Sequence, residues 1–102
     1  MDNTRLEFLH KLEGIIHQRV IDDAPESYTA TLVAAGDKRV AQKVGEEAVE
    51  LALAATAGDR DEQLQEAADL LYHLLVLLKC KSIALDEVVG VLQDRHRPES
   101  LT

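Results

Sequence analysis

Tryptophan is absent from this chain of 102 residues, and Phe8, Tyr28 and Tyr72 are its only aromatic side chains. A core with so few rings has to be built from Leu, Val, Ile and Ala. One cysteine, Cys80, excludes an intrachain disulfide and suits a reducing compartment. No cysteine–histidine pair has zinc-site spacing. Two prolines and five glycines break the chain so rarely that helices are favoured, and no run shows the clean period-two alternation of a strand. No apolar run is long enough to cross a bilayer, and the opening MDNTRLEFLHKL lacks the basic and apolar regions of a signal peptide. The expectation is a cytoplasmic, soluble chain with no membrane partner. Positive charge is also scarce: 11 Lys and Arg stand against 19 Asp and Glu, a net charge of −8. Phosphate contacts need a basic surface, so the charge argues against nucleic acid as the main partner. An anionic substrate would need a metal ion or a local cluster such as Lys38, Arg39 and Lys43.

What is present reads as a single all-α domain spanning residues 1–102, a bundle of four to five helices. Thr4 followed by Glu7 resembles a capping box, and Leu9, Leu12, Ile16 and Val20 recur at helical spacing, so a first helix is expected from Thr4 to Arg19. His10 and His17 lie off that stripe and read as solvated. Asp22 to Ser27 is a connector, because Pro25 disfavours helix just before it. A short helix from Ser27 to Ala35 should close at Gly36. Asp37 is expected to cap a third helix reaching Ala57, with Gly58 after it. Gly45 in its middle is either a tolerated defect or a place where a helix or a phosphate comes close. The turn GDRDE offers Asp59 or Asp61 as the cap of a fourth helix running to Lys81. That helix carries Leu70, Leu71, Leu74, Leu75, Val76, Leu77 and Leu78 around its whole circumference. A helix apolar on all sides is buried on all sides, and a domain this small can hardly cover it alone. A homodimer, closely packed or intertwined, is therefore expected. A fifth helix from Leu85 to Arg95 should turn Leu85, Val88, Val89 and Leu92 inward. Pro98 marks its end, and Glu99 to Thr102 should fray.

Two stretches carry the chemistry, KVGEEAVE from Lys43 to Glu50 and EAADLLYH from Glu66 to His73. Residues three or four apart share a helix face, so Lys43, Glu46, Glu47 and Glu50 form one polar stripe and Glu66, Asp69 and His73 a second. A short turn makes the two helices antiparallel neighbours. Glu50 and Glu66 stand at similar distances from that turn, so the acid pairs can converge at one height. Gathered carboxylates repel and resist desolvation unless a cation joins them, and an oxygen-only ligand set suits Mg²⁺, or Mn²⁺ in its place. The bland alternative, a solvated helix face or a structural charge network, stays open on spacing alone. A di-iron carboxylate bundle is disfavoured, since Glu66 is followed three residues later by Asp69 and not by histidine. His73 is either a hydrogen-bonded core residue that orients Asp69 or a contact to a phosphate. Tyr72 and its leucine neighbours read as core or interface. There is no glycine-rich phosphate loop and no nucleophilic serine motif. A phosphoryl-transfer enzyme built on these residues would use water activated by the metal, with Arg39 and Lys43 holding phosphates.

The combination of SYTATL, RVAQKVGEEAVELALAA and EAADLLYHLLVLL resembles the phosphoribosyl-ATP pyrophosphatase family, from about Leu6 to His96. That family belongs to the all-α nucleoside-triphosphate pyrophosphohydrolases, marked by EExxE followed by ExxD. The resemblance implies Mg²⁺-dependent attack of water on phosphoribosyl-ATP, giving phosphoribosyl-AMP and pyrophosphate in the second step of histidine biosynthesis. By position it makes Glu47, Glu50, Glu66 and Asp69 the metal ligands, with Glu46 an outer or additional one. Glu47, Glu50 and Asp69 would be catalytic, and Arg39, Lys43 and His73 would bind substrate. Ser82 stands where the family commonly has glycine, which concerns a helix end and not the chemistry. Some relatives are fused to a cyclohydrolase domain, and this chain reads as monofunctional. Two other classes compete: a housekeeping hydrolase of ordinary or damaged nucleoside triphosphates, against which SYTATL and RVAQK speak, and a non-catalytic helical dimer, against which the paired acids speak.

Overall fold

A computed structural model describes residues 4–98, and all its regular structure is helical: α1 (Thr4–Asp22), α2 (Tyr28–Ala34), α3 (Asp37–Ala57), α4 (Arg60–Cys80) and α5 (Leu85–Arg95). The expected fraying of Glu99 to Thr102 lies outside the described residues. α1 runs three residues beyond the expected Arg19, extended by a hydrogen bond from Gln18 Nε2 to Asp22 Oδ1 of 2.8 Å. It stops where Asp23 takes a left-handed backbone at φ 46°, a conformation that aspartate tolerates better than most residues.

Ser27 caps α2 as its side chain accepts from the Ala30 amide at 3.1 Å. Gly36, at φ 102°, then redirects the chain into α3. Asp37 does not cap α3: Gly36 holds that position, no side-chain cap bond is formed, and Asp37 is the first helical residue. Its carboxylate instead meets Lys81 Nζ at 3.2 Å, tying the start of α3 to the end of α4. A carboxylate in the first helical turn still complements the macrodipole.

The α3–α4 hairpin is the backbone of the fold. Asp59 Oδ1 accepts from the Glu62 amide at 2.9 Å and starts α4. Gly58 leaves room for that turn, because a Cβ there would lie 2.8 Å from Glu62 Oε2 and 3.0 Å from the Ala54 carbonyl oxygen. At the far end of α4, Ser82 sits at φ 56°, while the amides of Ile83 and Ser82 bond back to Leu78 O (2.9 Å) and Lys79 O (3.1 Å). This is the Schellman pattern that glycine usually completes. Serine in its place carries roughly 1–2 kcal/mol of backbone strain.

The core lies where α1 and α2 cross the carboxyl-terminal half of α4. Ile16, Leu32, Val40, Leu75 and Val76 are buried together, with Leu9, Leu12, Val33, Tyr72, Leu77, Cys80 and Leu85 packed around them. The single chain leaves part of α4 open, as its apolar circumference implied, and one face of α5 expected to turn inward does not. Leu71 of α4 remains 36% exposed within the chain. Of the four α5 residues expected to face inward, Leu85 and Val88 are half-buried, and Val89 and Leu92 stay open to solvent at 40% and 49%. α5 is anchored at its start, where Glu13 Oε2 accepts from the Leu85 amide at 2.7 Å, and beyond that it has little of its own chain to pack on.

Candidate active site

The phase of α3 decides which acid points inward. Val40, Glu47 and Ala54 are its buried residues, each two turns from the next, so the stripe that packs on α4 carries Glu47 through its middle. Glu47 is 6% exposed, unusually low for a carboxylate. Opposite it, α4 presents Glu66 and Asp69 from successive turns. One oxygen from each of Glu47, Glu66 and Asp69 lies within 4.8 Å of the other two. Oε2 of Glu47 and Oε2 of Glu66 are buried with no hydrogen-bond partner. Leaving a buried charged acceptor unsatisfied costs free energy. Two such atoms on residues of one acid cluster call for a cation, so the donor set fits a hard divalent ion.

Glu50 stands one turn along from Glu47 and is exposed. Its carboxyl is held above the usual carboxylate range, first by the neighbouring Glu66 carboxyl within hydrogen-bonding reach and then by the charges of Glu47 and Glu66. That is the signature of like charges sharing one site. Glu46 is not brought into the group. It is offset from Glu47 by about 100° around the helix, accepts from Gln42 Nε2 at 3.2 Å, and lies 3.8 Å from Arg39 Nη1 and 3.7 Å from Lys43 Nζ. Lys43 reaches the cluster itself, 3.2 Å from Glu47 Oε1. The hydrogen bond to Glu47 raises its pKa above the ordinary lysine value, so the ammonium is retained at neutral pH.

His73 is buried at 7% exposure and has both ring nitrogens engaged. Nδ1 lies 2.7 Å from the Asp69 carbonyl oxygen, which can only accept, so Nδ1 carries the proton. Nε2 is then the acceptor for the Tyr28 hydroxyl at 2.7 Å. Tyr28 and Tyr72 both meet the imidazole edge-on, at ring distances of 5.6 and 5.8 Å. His73 thus ties the backbone of the Asp69 turn to α2, and it also stands in the wall of a cavity beside Asp69. Sequence reasoning missed the rest of this wall. The Tyr72 hydroxyl bonds the buried Thr29 hydroxyl and accepts from Arg19 Nη1 at 3.0 Å. No signal in the sequence marked it, since its members meet across 43 to 53 positions of chain. Cys80 stands apart from the site. Burial, then the charge of Asp37, pushes its thiol up against the opposing effect of Lys81, which leaves it a poor nucleophile.

Among the described residues no helix is long and apolar enough to cross a membrane. Comparison with known proteins places these residues in a family context. The chain is 51% identical over 96 residues to the histidine biosynthesis bifunctional protein HisIE of Vibrio cholerae, an alignment covering 94% of this chain and 46% of that protein. The proteins of the same name from Photobacterium profundum and Yersinia pestis are each 54% identical, over 91 and 89 residues, covering 89% and 87% of this chain and 44% of each relative. The chain thus spans about half the length of these curated relatives. A family model describing phosphoribosyl-ATP pyrophosphohydrolase matches residues 9–96, a span that takes in α3, α4 and every acid of the cluster, and the chain belongs to that family.

Proposed function

We propose that this chain hydrolyses phosphoribosyl-ATP to phosphoribosyl-AMP and pyrophosphate, the second step of histidine biosynthesis, as a cytoplasmic, Mg²⁺-dependent homodimer. The observation that carries the reading is the meeting of Glu47, Glu66 and Asp69 with two buried carboxylate oxygens left unpartnered. Family membership supplies the substrate class. Glu47, Glu66 and Asp69 would hold the ion, and Glu50 would complete the set. A divalent ion in such a site neutralises phosphate charge and eases deprotonation of the attacking water.

The chain's own residues do the rest. Glu50 faces solvent beside the cluster, so it can take the proton that water loses on attacking phosphorus and pass it on. Glu47 and Asp69 come from facing helices and fix where the reacting phosphate must lie. His73 and Tyr28 hold the Asp69 turn in register. Glu46 positions Arg39 and Lys43 at the edge of the acids, where a polyphosphate would project.

The deciding measurement is pyrophosphate release from phosphoribosyl-ATP and from ATP, with Mg²⁺, with Mn²⁺ and in excess chelator. Chelation should abolish turnover and either ion should restore it. Full activity in chelator ends the cation reading, and equal turnover of ATP makes the chain a general nucleoside-triphosphate hydrolase.

Replacing Lys43 with Ala tests phosphate capture. A charge-assisted hydrogen bond of about 1.5–3 kcal/mol predicts a fall in kcat/KM of roughly 10- to 150-fold. Because its pKa is raised, the ammonium side of the Lys43–Glu47 pair is fully charged below the ordinary lysine value of about 10.4. That charge is lost only as pH rises through the higher folded value. An unaltered kcat/KM returns Lys43 to the role of a partner for Glu47 alone.

A further inference from the structure

Two cavities flank the acid cluster, and their chemistry differs. One is lined by Glu50, Leu53, Glu62 and Glu66 among its walls and has no basic side chain. The other, of about 510 Å³, opens on the far side of Asp69 between α1, α2 and α4, and Arg19 stands in its wall. That volume lies within the roughly 300–1,000 Å³ of small-molecule sites. Arg19 forms no ion pair among the described residues, although Glu26 also lines the cavity. Its one hydrogen-bond partner here is the neutral hydroxyl of Tyr72. A guanidinium presents five donors in a fixed fork, so most remain free, and neither Glu26 nor Asp69 in the same wall pairs with it. The support beneath it is rigid: the Tyr72 hydroxyl is tied to Thr29, which is 1% exposed, and Tyr28 and His73 lock the adjoining wall. A cation held in this way is preorganised for a phosphate or carboxylate.

Resting on the reading above, we infer that this cavity receives the phosphoribosyl group of the substrate and that Arg19 binds its phosphate. That phosphate takes no part in bond cleavage. It is also the feature that separates phosphoribosyl-ATP from ATP, which makes Arg19 a specificity residue while the reaction itself proceeds at the acids.

The experiment compares wild type, Arg19→Gln, Arg19→Lys and the charge control Arg5→Gln from the same helix. Each is assayed for pyrophosphate release from phosphoribosyl-ATP and for inhibition by phosphoribosyl-AMP and by AMP. With Arg19→Gln, kcat/KM for phosphoribosyl-ATP should fall roughly 10- to 100-fold, the worth of a charge-assisted contact. The inhibition constant of phosphoribosyl-AMP should rise in parallel and that of AMP should stay put. Arg19→Lys should recover part of both losses, and Arg5→Gln should match wild type. Unchanged melting of Arg19→Gln separates lost binding from lost folding. Equal weakening of AMP and phosphoribosyl-AMP would place the contact on the nucleotide phosphate and overturn the inference, as would no change in either. A wild-type chain that leaves phosphoribosyl-ATP intact removes the functional reading and this inference with it. Wild-type turnover with Arg19→Gln unaltered removes the inference alone.

Discussion

Asp69→Asn, melted without divalent cation, should prove as stable as the wild type or more so, while losing most of its turnover. The acids that converge between α3 and α4 repel one another, and two of their buried oxygens have no partner, so the cation-free fold carries a penalty that neutralisation relieves. Asp69 is the cleanest position, being exposed and outside the ion pairs formed among the described residues. Glu66→Gln should also relieve the cluster, since its amide gains a donor for an orphaned oxygen. Glu47→Gln should gain less, because it gives up the 3.2 Å pair with Lys43. Each change deletes a proposed ligand. The loss of turnover should therefore exceed the roughly 10- to 100-fold that outer partners of a ligand cost.

The pH dependence of stability follows from Glu50, whose carboxyl is raised by Glu66 and then Glu47. A carboxyl with a raised folded pKa binds its proton more tightly when folded. Its favourable contribution is present below the ordinary carboxylate value and is lost as pH rises towards and through the folded one. The cation-free wild type should lose stability across that window, and Glu50→Gln should lose less. These titrations belong to the coupled group and not to single residues. A cation that binds only the folded form adds about 1.4 kcal/mol at ten times its Kd. Mg²⁺ should thus raise the wild-type melting temperature more than that of any neutralised variant. If Asp69→Asn strongly destabilises the cation-free protein and keeps its turnover, the acids are structural.

The helices and the hairpin were legible because their signals are local. Gly58 and Asp59 mark a turn that no neighbour has to enforce, and spacing alone assigns Glu66 and Asp69 to one face. Choosing between Glu46 and Glu47 needed the phase of the helix. The repeat of Val40, Glu47 and Ala54 contains it, yet a buried glutamate is rare enough that spacing alone does not select it, and only the family resemblance set Glu47 ahead of Glu46. Asp37 looked like a cap because aspartate favours that position, and the left-handed backbone required at Gly36 moved the cap one residue earlier. Val89 and Leu92 carry an amphipathic pattern that states a wish for cover without naming what supplies it. The wall of Arg19, Thr29 and Tyr72 was not legible at all. Arg19 meets a hydroxyl 53 positions away, and no periodicity on either helix encodes that meeting.

Leu64→Glu should break the native assembly, whose mass at micromolar concentration should be two chains. The single chain exposes 7521 Å², whereas a compact monomer of 11.3 kDa would expose about 5,700 Å². Its radius of gyration is 15.6 Å, against about 13 Å for a folded domain of this length. The excess surface is of the order that each partner of an obligate dimer buries, about 1,000–2,500 Å². The central hairpin contributes apolar surface: Val49 is 59% exposed, Leu64 57% and Leu71 36%. Gly45 lies on the same helix as Val49, and a Cβ there would meet nothing within 4 Å. Its own chain therefore gives no packing reason for a glycine, and a second copy approaching closely would. If the chain were a monomer, glutamate at Leu64 would be a surface change of at most about 0.5 kcal/mol. If Leu64 is covered by a partner, the same change buries a charge and should dissociate or precipitate the protein. Folding and association would then be one equilibrium, so diluting the wild type should lower its melting temperature. Light scattering that finds a single-chain mass, with Leu64→Glu melting like wild type at every concentration, would show that α3 and α4 face water.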